Sequence, residues 1–217
     1  MTALPWSGKP RPVGLPASSI DVGGCPVRIV ASATGPHARS ASRGLAEEVV
    51  ADVARLPAGE IRVATLLPSG RPVASSGSRV LPVAVSISHL PGIAVAAASV
   101  IADGVGIDVV EGGRDASALG FWFGARERAW AAATAPQRVW GAKEAAFKAA
   151  GIDDGFHPGE VEVTDDGDDR FRWRLADRWR SAEGAGRFVP VGRWLVAVAT
   201  RVATKARAET TGRAACS

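Results

Sequence analysis

The 217-residue chain has no tyrosine, only two cysteines and no long apolar run. Cys25 and Cys216 stand near opposite ends of the chain, without the spacing of a metal or redox pair, so free thiols in a reducing compartment are the simplest interpretation. The longest apolar stretch, residues 93–102, is shorter than the ~20 residues that a membrane-spanning helix needs. We therefore expect no cysteine-held metal and no membrane partner.

The first 24 residues also lack the apolar core of a signal peptide. They contain four prolines, at positions 5, 10, 12 and 16. We expect a cytoplasmic protein. The absence of tyrosine, together with abundant alanine, glycine and arginine, indicates a high-GC coding sequence rather than a particular function.

Composition and charge are those of a globular protein with a basic surplus. Hydrophobic residues make up 47% and charged residues 22% of the chain, and the net charge is +4. A basic surplus favours anionic partners such as phosphates, acidic proteins or nucleic acid. Because lysines and arginines are dispersed rather than striped, and the seven tryptophans are spaced as core residues, we do not expect nucleic-acid binding.

The hydrophobic pattern predicts an α+β fold, because most strands are linked as hairpins instead of alternating with helices. Helices are predicted over residues 39–56, 116–133 and 137–150, the last with Gly151 as C-cap; strands are predicted over 26–33, 61–67, 80–88, 93–101, 105–110, 161–164, 171–175 and 194–200. Each half reads strand, helix, then strands. We therefore divide the chain into an N-terminal arm (1–24), an N-terminal module (25–103), a similar C-terminal module (104–202) and a basic tail (203–217).

One group of candidate residues lies on the predicted strand at 104–111. Strand alternation places Gly106, Asp108 and Val110 on one face and Ile107 on the other. A carboxylate on an apolar strand must be paired, hydrogen-bonded or metal-bound, so Asp108 is either a salt-bridged structural residue or part of a site. The G-x-G sequence is not a dinucleotide fingerprint, since the third glycine is missing and no helix opens there.

A second group lies on the last predicted helix. Trp140, Glu144, Phe147 and Lys148 fall on neighbouring ridges of that helix. The alternative is an ordinary amphipathic helix with a surface ion pair, which contributes only ~0.3–0.5 kcal/mol.

Two acidic side chains, Asp108 and Glu144, suit magnesium, which takes one or two carboxylates and completes its shell with water and substrate phosphates. Lys148, Arg71 in a Ser-Gly-Arg-Pro turn, and His89 after Ser-Ile-Ser could supply positive charge for those phosphates. The residues alone therefore favour Mg²⁺ acting on a phosphate ester.

Taken together, these motifs resemble the 4'-phosphopantetheinyl transferase superfamily, over residues 39–202. Gly106-Ile-Asp108 and Trp140-x-x-Lys-Glu-x-x-x-Lys148 carry most of the resemblance, and the segments 86–89 and 70–72 resemble supporting motifs of the longer, surfactin-type branch. The resemblance implies Mg²⁺-dependent transfer of 4'-phosphopantetheine from coenzyme A to a serine of an apo acyl, polyketide or peptidyl carrier protein, with release of 3',5'-ADP. It also implies a monomer whose two modules are related by pseudo-twofold symmetry.

The resemblance assigns catalytic roles to three residues. It implies that Asp108 and Glu144 are the metal ligands, that Glu144 is also the base for the carrier serine, and that Lys148 meets the pyrophosphate of coenzyme A.

The resemblance also implies contacts to the rest of coenzyme A. His89 and Ser88 are similar to the contacts of the 3'-phosphate, and Arg71 is similar to the basic residue beside the adenine. Arg43 or Arg39 would add a phosphate contact.

The sequence departs from the surfactin-type pattern at one position. A third acid is expected two residues after Asp108, where this chain has Val110, and Glu111 should face away by strand alternation. We therefore expect two protein carboxylates on the metal. The alternative is a homologue that binds coenzyme A or a carrier protein without catalysis.

Overall fold

A computed structural model gives the positions of residues 14–34, 38–66, 69–111, 117–153, 155–176 and 182–201. Within these ranges the fold is α+β with antiparallel sheets, as predicted. The helices are α1 (Ala38–Ala54), α2 (Ala125–Ala133) and α3 (Pro136–Ala150). The strands are β1 (Gly14–Val22), β2 (Cys25–Ala33), β3 (Ile61–Thr65), β4 (Pro72–Ser76), β5 (Arg79–Val80), β6 (Ala84–Leu90), β7 (Ile93–Ser99), β8 (Gly104–Glu111), β9 (Val161–Asp165), β10 (Arg170–Leu175), β11 (Glu183–Val191) and β12 (Trp194–Arg201).

The strands form three sheets. A four-stranded sheet has the order β1-β2-β7-β6, a five-stranded sheet has the order β8-β12-β11-β10-β9, and β3, β4 and β5 form a small third sheet. Helix α1 packs on the four-stranded sheet and α3 packs on the five-stranded sheet. No helix among the described residues combines the length and the apolar character needed to cross a membrane.

The two larger sheets face each other across a shared cluster of buried side chains, which we call the middle core. Its members include Ile29 and Val95 from the four-stranded sheet and Ile107 and Val198 from the five-stranded sheet. Because side chains alternate along a strand, the opposite faces of these sheets are left for the helices. The molecule is therefore layered as α1, sheet, sheet, α3, with one core under each helix and the middle core between the sheets.

The two halves of the chain repeat one order of elements. In the first half β2 is followed by α1 and then by the hairpins β3-β4 and β6-β7; in the second half β8 is followed by α3 and then by β9-β10 and β11-β12. The spatial order β2-β7-β6 likewise corresponds to β8-β12-β11. This agrees with two similar α+β modules, while their pseudo-twofold relation and the division at residue 103 stay predictions.

Three features differ from the sequence-based predictions. Residues 14–22, which were assigned to the N-terminal arm, form strand β1 and pair with β2. The helix predicted over 116–133 is a short 3-10 helix, Ser117–Trp122, followed by α2. Strands β4 and β11 were not predicted, and the strand predicted over 80–88 is interrupted between β5, which ends at Val80, and β6, which begins at Ala84. The rest of the arm, 1–13, and the basic tail, 203–217, lie outside the described residues.

Glycines explain why β11 escaped sequence analysis. Gly184 and Gly186 lower the strand propensity of this segment. In the structure they lie directly opposite Trp173 and Phe171 of β10. A Cβ atom on Gly186 would lie 2.0 Å from the Phe171 ring, so these glycines make room for cross-strand aromatic rings. The reason for these glycines lies in the neighbouring strand, so it cannot be inferred from the sequence of β11 alone.

Candidate active site

The site depends on an unusually close approach between β8 and α3. A Cβ atom on Gly106 would lie 1.8 Å from the carbonyl oxygen of Ala145, and one on Gly104 would lie 1.9 Å from that of Ala149. Only glycine fits at these two strand positions without displacing the helix. The G-x-G sequence therefore brings the helix backbone directly onto the strand, next to Asp108.

Helix α3 is well defined at both ends. Pro136 occupies its first turn, where a backbone N–H has no acceptor within the helix, so the N–H that proline lacks is not missed by the hydrogen-bond pattern. At the other end Gly151 has φ 68°, and its N–H donates to the carbonyl of Phe147, which confirms the predicted C-cap. Two guanidinium groups complete this end, since Arg71 donates to the Gly151 carbonyl (3.0 Å) and Arg201 to the Ala150 carbonyl (2.6 Å).

Asp108 is buried on the face of β8 that meets α3, with only 5% of its surface exposed. Its Oδ1 accepts a hydrogen bond from Lys148 Nζ at 2.8 Å and another from Ser88 Oγ at 3.0 Å. The Lys148 ammonium also donates to the carbonyl of Ile107 at 2.9 Å. The carboxylate is thus paired and hydrogen-bonded, as a buried charge must be.

Glu144, one helical turn before Lys148, adjoins the same carboxylate. Its pKa is raised to about 8, chiefly by burial and next by the charge of Asp108 and a hydrogen bond with it; Lys148 and a hydrogen bond to Trp140 oppose the rise. The structure therefore brings two acidic groups together at one place, with the ammonium of Lys148 beside them.

An aromatic cluster lies beside Glu144. Phe156, in the loop after α3, has its ring centroid 5.4 Å from that of Trp140 and 5.2 Å from that of Phe147. Trp140 and Phe147 lie on the turns of α3 that flank Glu144. This apolar surrounding disfavours the charged carboxylate, which is the direction of the pKa shift.

The donor set fits a divalent cation. Two carboxylates in a poorly solvated place repel each other, and the raised pKa of Glu144 reflects its burial first and the charge of Asp108 second. A divalent cation between them would remove the repulsion, and magnesium commonly uses one or two protein carboxylates. Within the described ranges, no group of three or more His, Cys, Asp or Glu side chains is arranged to hold a metal.

The residues after Asp108 follow the predicted alternation. Val110 lies on the same face of β8 as Asp108, where its side chain meets α3 at Gly141. Pairing of β8 with β12 is continuous from Gly104 to Glu111, so no bulge turns Glu111 toward the site. Glu111 instead forms an ion pair with Arg193 at 3.1 Å.

The residues expected to contact coenzyme A are spread more widely. Ser88 is beside Asp108, whereas His89 is on the opposite face of β6 by alternation, the face whose Ile87 packs toward α1. Arg71 contacts the C-terminal end of α3 and lies 3.6 Å from the carboxylate of Asp153. Arg43 is exposed on α1. Arg39 lies in the first turn of that helix, and its side chain is outside the described part of the chain.

Sequence reasoning missed a buried ion pair on the other side of α3. Lys143, 1% exposed, lies 2.7 Å from Glu127 of α2, which is 6% exposed. Lys143 also donates to the carbonyls of Pro158 and Val161. Burial lowers the pKa of Lys143, and Glu127 opposes this shift.

Glu127 fixes two backbone groups in addition to Lys143. It accepts hydrogen bonds from the N–H of Gly124 (2.8 Å) and of Val163 (2.9 Å). It thereby ties the start of α2 and strand β9 to α3. The available sequence signal was a lysine within an apolar helical stripe, between Val139 and Ala146, which by spacing faces the core.

Comparison with known proteins points to one family. Residues 104–199 match the model of the 4'-phosphopantetheinyl transferase superfamily. This segment is under half of the chain and contains Asp108, Glu144 and Lys148, but not Ser88. No curated protein matches the chain. The match supports phosphopantetheinyl transfer in general terms, and the surfactin-type branch continues to rest on the motifs alone.

Proposed function

We propose that this protein is a 4'-phosphopantetheinyl transferase, which moves 4'-phosphopantetheine from coenzyme A to a serine of an apo carrier protein. The observation that carries the proposal is the meeting of Asp108 and Glu144 beside Lys148, within the segment that matches the superfamily. The finer assignment is a monomer of the surfactin-type branch that serves acyl, polyketide or peptidyl carriers in the cytoplasm.

The reaction is a phosphoryl transfer. The carrier serine oxygen forms a bond to the β-phosphorus of coenzyme A, the bond from that phosphorus to the bridging oxygen breaks, and 3',5'-ADP leaves with the electron pair. The serine proton passes to a base. Such reactions depend on positioning and charge neutralisation more than on covalent catalysis.

Each residue of the cluster has a proposed part in this step. Asp108 and Glu144 would hold Mg²⁺, which would neutralise charge on the pyrophosphate. The ammonium of Lys148 contacts the pyrophosphate oxygens of coenzyme A and stabilises the charge that develops on them. Glu144 takes up the serine proton, directly or through water.

Coenzyme A binding would extend from this cluster into the N-terminal module. We propose that His89 and Arg43 contact phosphate groups of coenzyme A and that Arg71 lies beside the adenine end. Arg71 already borders the end of α3 that carries Lys148. The basic net charge of +4 would also attract an acidic carrier protein.

The direct test is a mass assay. The purified protein is incubated with coenzyme A, Mg²⁺ and apo carriers of the fatty-acid, polyketide and nonribosomal-peptide classes, and a gain of one phosphopantetheine is expected on at least one carrier. Asp108→Asn and Glu144→Gln keep the side-chain shape and should each lower the rate by about 100-fold or more. The matched variants Asp103→Asn and Glu48→Gln change exposed carboxylates and should keep full rates.

Two results would count against the proposal. A folded protein that modifies none of the carriers contradicts transferase activity, and a full rate in Asp108→Asn contradicts its role as a metal ligand.

One observation favours a second candidate, a homologue that binds coenzyme A without turning it over. Val110 stands where the surfactin-type pattern has a third acid, and it packs against α3. Calorimetry distinguishes the candidates, because tight coenzyme A binding with no product on any carrier would support the second one.

A further inference from the structure

The two modules meet at the edges of their sheets, along β6 and β8. Each of these strands is the last one in its sheet. The backbone N–H groups of Ile107 and Val109 point from β8 toward β6, where they donate to Ser86 Oγ (3.1 Å) and Ser88 Oγ (3.3 Å). Both serines are buried, at 3% and 8% exposure. Their hydroxyls satisfy donors that would otherwise be left unpaired at a strand edge.

Ser88 makes one contact that Ser86 lacks. Its hydroxyl also lies 3.0 Å from Asp108 Oδ1. A hydroxyl has one proton to donate, and a carboxylate can only accept, so the proton of Ser88 goes to Asp108. The hydroxyl is thereby committed as a donor and cannot donate to a phosphate of coenzyme A at the same time.

We propose that Ser88 is a positioning residue that holds the carboxylate of Asp108 in the orientation needed to bind the metal, rather than a coenzyme A contact. The inference rests on the proposed function. It assigns the N-terminal module a direct part in a metal site whose acidic residues both lie in the C-terminal module.

The geometry gives a reason for a second anchor. Without Ser88, the Asp108 carboxylate would be held only by Glu144, the second proposed metal ligand, and by Lys148, whose ammonium lies on a flexible stem and whose side chain is 35% exposed. Lys148 is also the proposed partner of the pyrophosphate, so its hold on Asp108 would weaken when substrate binds. Ser88 is buried and fixed to the Val109 N–H, and so it keeps its position.

The matched pair Ser88→Ala and Ser86→Ala tests the inference. Both variants lose one hydrogen bond from the edge of β8, but only Ser88→Ala loses the contact with Asp108. Removal of such a supporting contact typically lowers metal affinity or activity by about 10–100-fold. We expect Ser88→Ala to weaken Mn²⁺ binding, measured by electron paramagnetic resonance in the presence of coenzyme A, by about tenfold or more. We also expect a lower kcat with an unchanged KM for coenzyme A.

The controls keep the outcome clear. Ser86→Ala should stay within about twofold of the wild type in every measurement, and Ser88→Thr, which keeps the hydroxyl, should restore most of the Mn²⁺ affinity. Ser88→Cys, which keeps the volume but donates weakly, provides a second variant if the alanine variant does not fold.

Several results would overturn the inference. The first is a higher KM for coenzyme A in Ser88→Ala with unchanged kcat and Mn²⁺ affinity. The second is a loss of Mn²⁺ affinity in Ser86→Ala equal to that in Ser88→Ala. The third is an absence of Mn²⁺ binding by the wild type. Failure of the proposed function is a separate result: a wild type that modifies no carrier would contradict it, while Mn²⁺ binding by the two serine variants would still decide the role of Ser88.

Discussion

Glu144 is a carboxyl group that the fold keeps largely protonated at neutral pH when no metal is bound. Its folded pKa is about 8, against an ordinary value of 4.5. The native state therefore binds more protons than the unfolded state between these values, and the free energy of unfolding falls as pH rises through this window. Below pH 4.5 both states are protonated, and the contribution of Glu144 no longer changes.

This sign gives a prediction for the metal-free protein. Glu144→Gln should remove much of the loss of stability between pH 5.5 and 8.5, because an amide does not titrate. Urea unfolding at both pH values measures the effect, and Glu48→Gln, which changes an exposed residue of α1, should leave the loss unchanged. Parallel pH dependences for the wild type and Glu144→Gln would contradict the raised pKa.

Single residues also show how far the sequence could predict the site. Strand alternation put Asp108 on one face of β8, and helical spacing put Glu144 and Lys148 on one side of α3. The contact between Ser88 and Asp108 was beyond sequence reasoning, because it joins edge strands of different sheets that meet only in the folded protein.

At the scale of elements, the buried pair Lys143 and Glu127 sets how α3 lies against α2 and β9. Loss of one partner leaves an uncompensated charge in the core, which typically costs about 3–5 kcal/mol. We therefore expect Lys143→Met to lower the free energy of unfolding by about that amount. The double variant Lys143→Met/Glu127→Gln should be less destabilised than Lys143→Met alone, since the amide carries no charge and its oxygen still accepts one of the two backbone hydrogen bonds.

An exposed ion pair on β9 and β10 serves as the control for the variants of Lys143 and Glu127. Arg174 and Glu162 lie 2.5 Å apart with 69% and 60% of their side chains exposed, so Arg174→Met should change stability by no more than about 1 kcal/mol. Urea unfolding measures all three variants. A double variant that is less stable than Lys143→Met would show that the remaining charge is not the source of the destabilisation.

Elements with a strong local signal were predictable, and those defined by their neighbours were not. Helix α3 has a proline start, a glycine end and an apolar stripe, so its bounds agree with the sequence to within one residue. The prediction of one continuous helix over 116–133 was wrong. Just before α2 the side chain of Phe123 is buried and Glu127 accepts the N–H of Gly124, and these contacts exist only in the packed structure.

The whole molecule is held together by the middle core. The face of β8 opposite Asp108 carries Val105, Ile107 and Val109 into this core, against Ile29 and Val95 of the four-stranded sheet. The segment that matches the superfamily therefore has one face of its sheet covered by the N-terminal module. Exposure of that apolar face would be unfavourable, so we expect the two modules to unfold together.

Tryptophan fluorescence can test this coupling, because six of the seven tryptophans lie after residue 104. Ile61 is fully buried in the core beneath α1, outside the middle core, and Ile61→Ala should destabilise the N-terminal module by about 2–5 kcal/mol. If unfolding is cooperative, the urea midpoints measured by fluorescence and by far-ultraviolet circular dichroism move together to lower concentration. Both signals then report the same loss in the free energy of unfolding. Val80→Ala, at a 65% exposed position of the same module, should move neither midpoint appreciably. A fluorescence transition that Ile61→Ala leaves in place would mean that the C-terminal module is stable without its neighbour, and that the middle core does not couple the two halves.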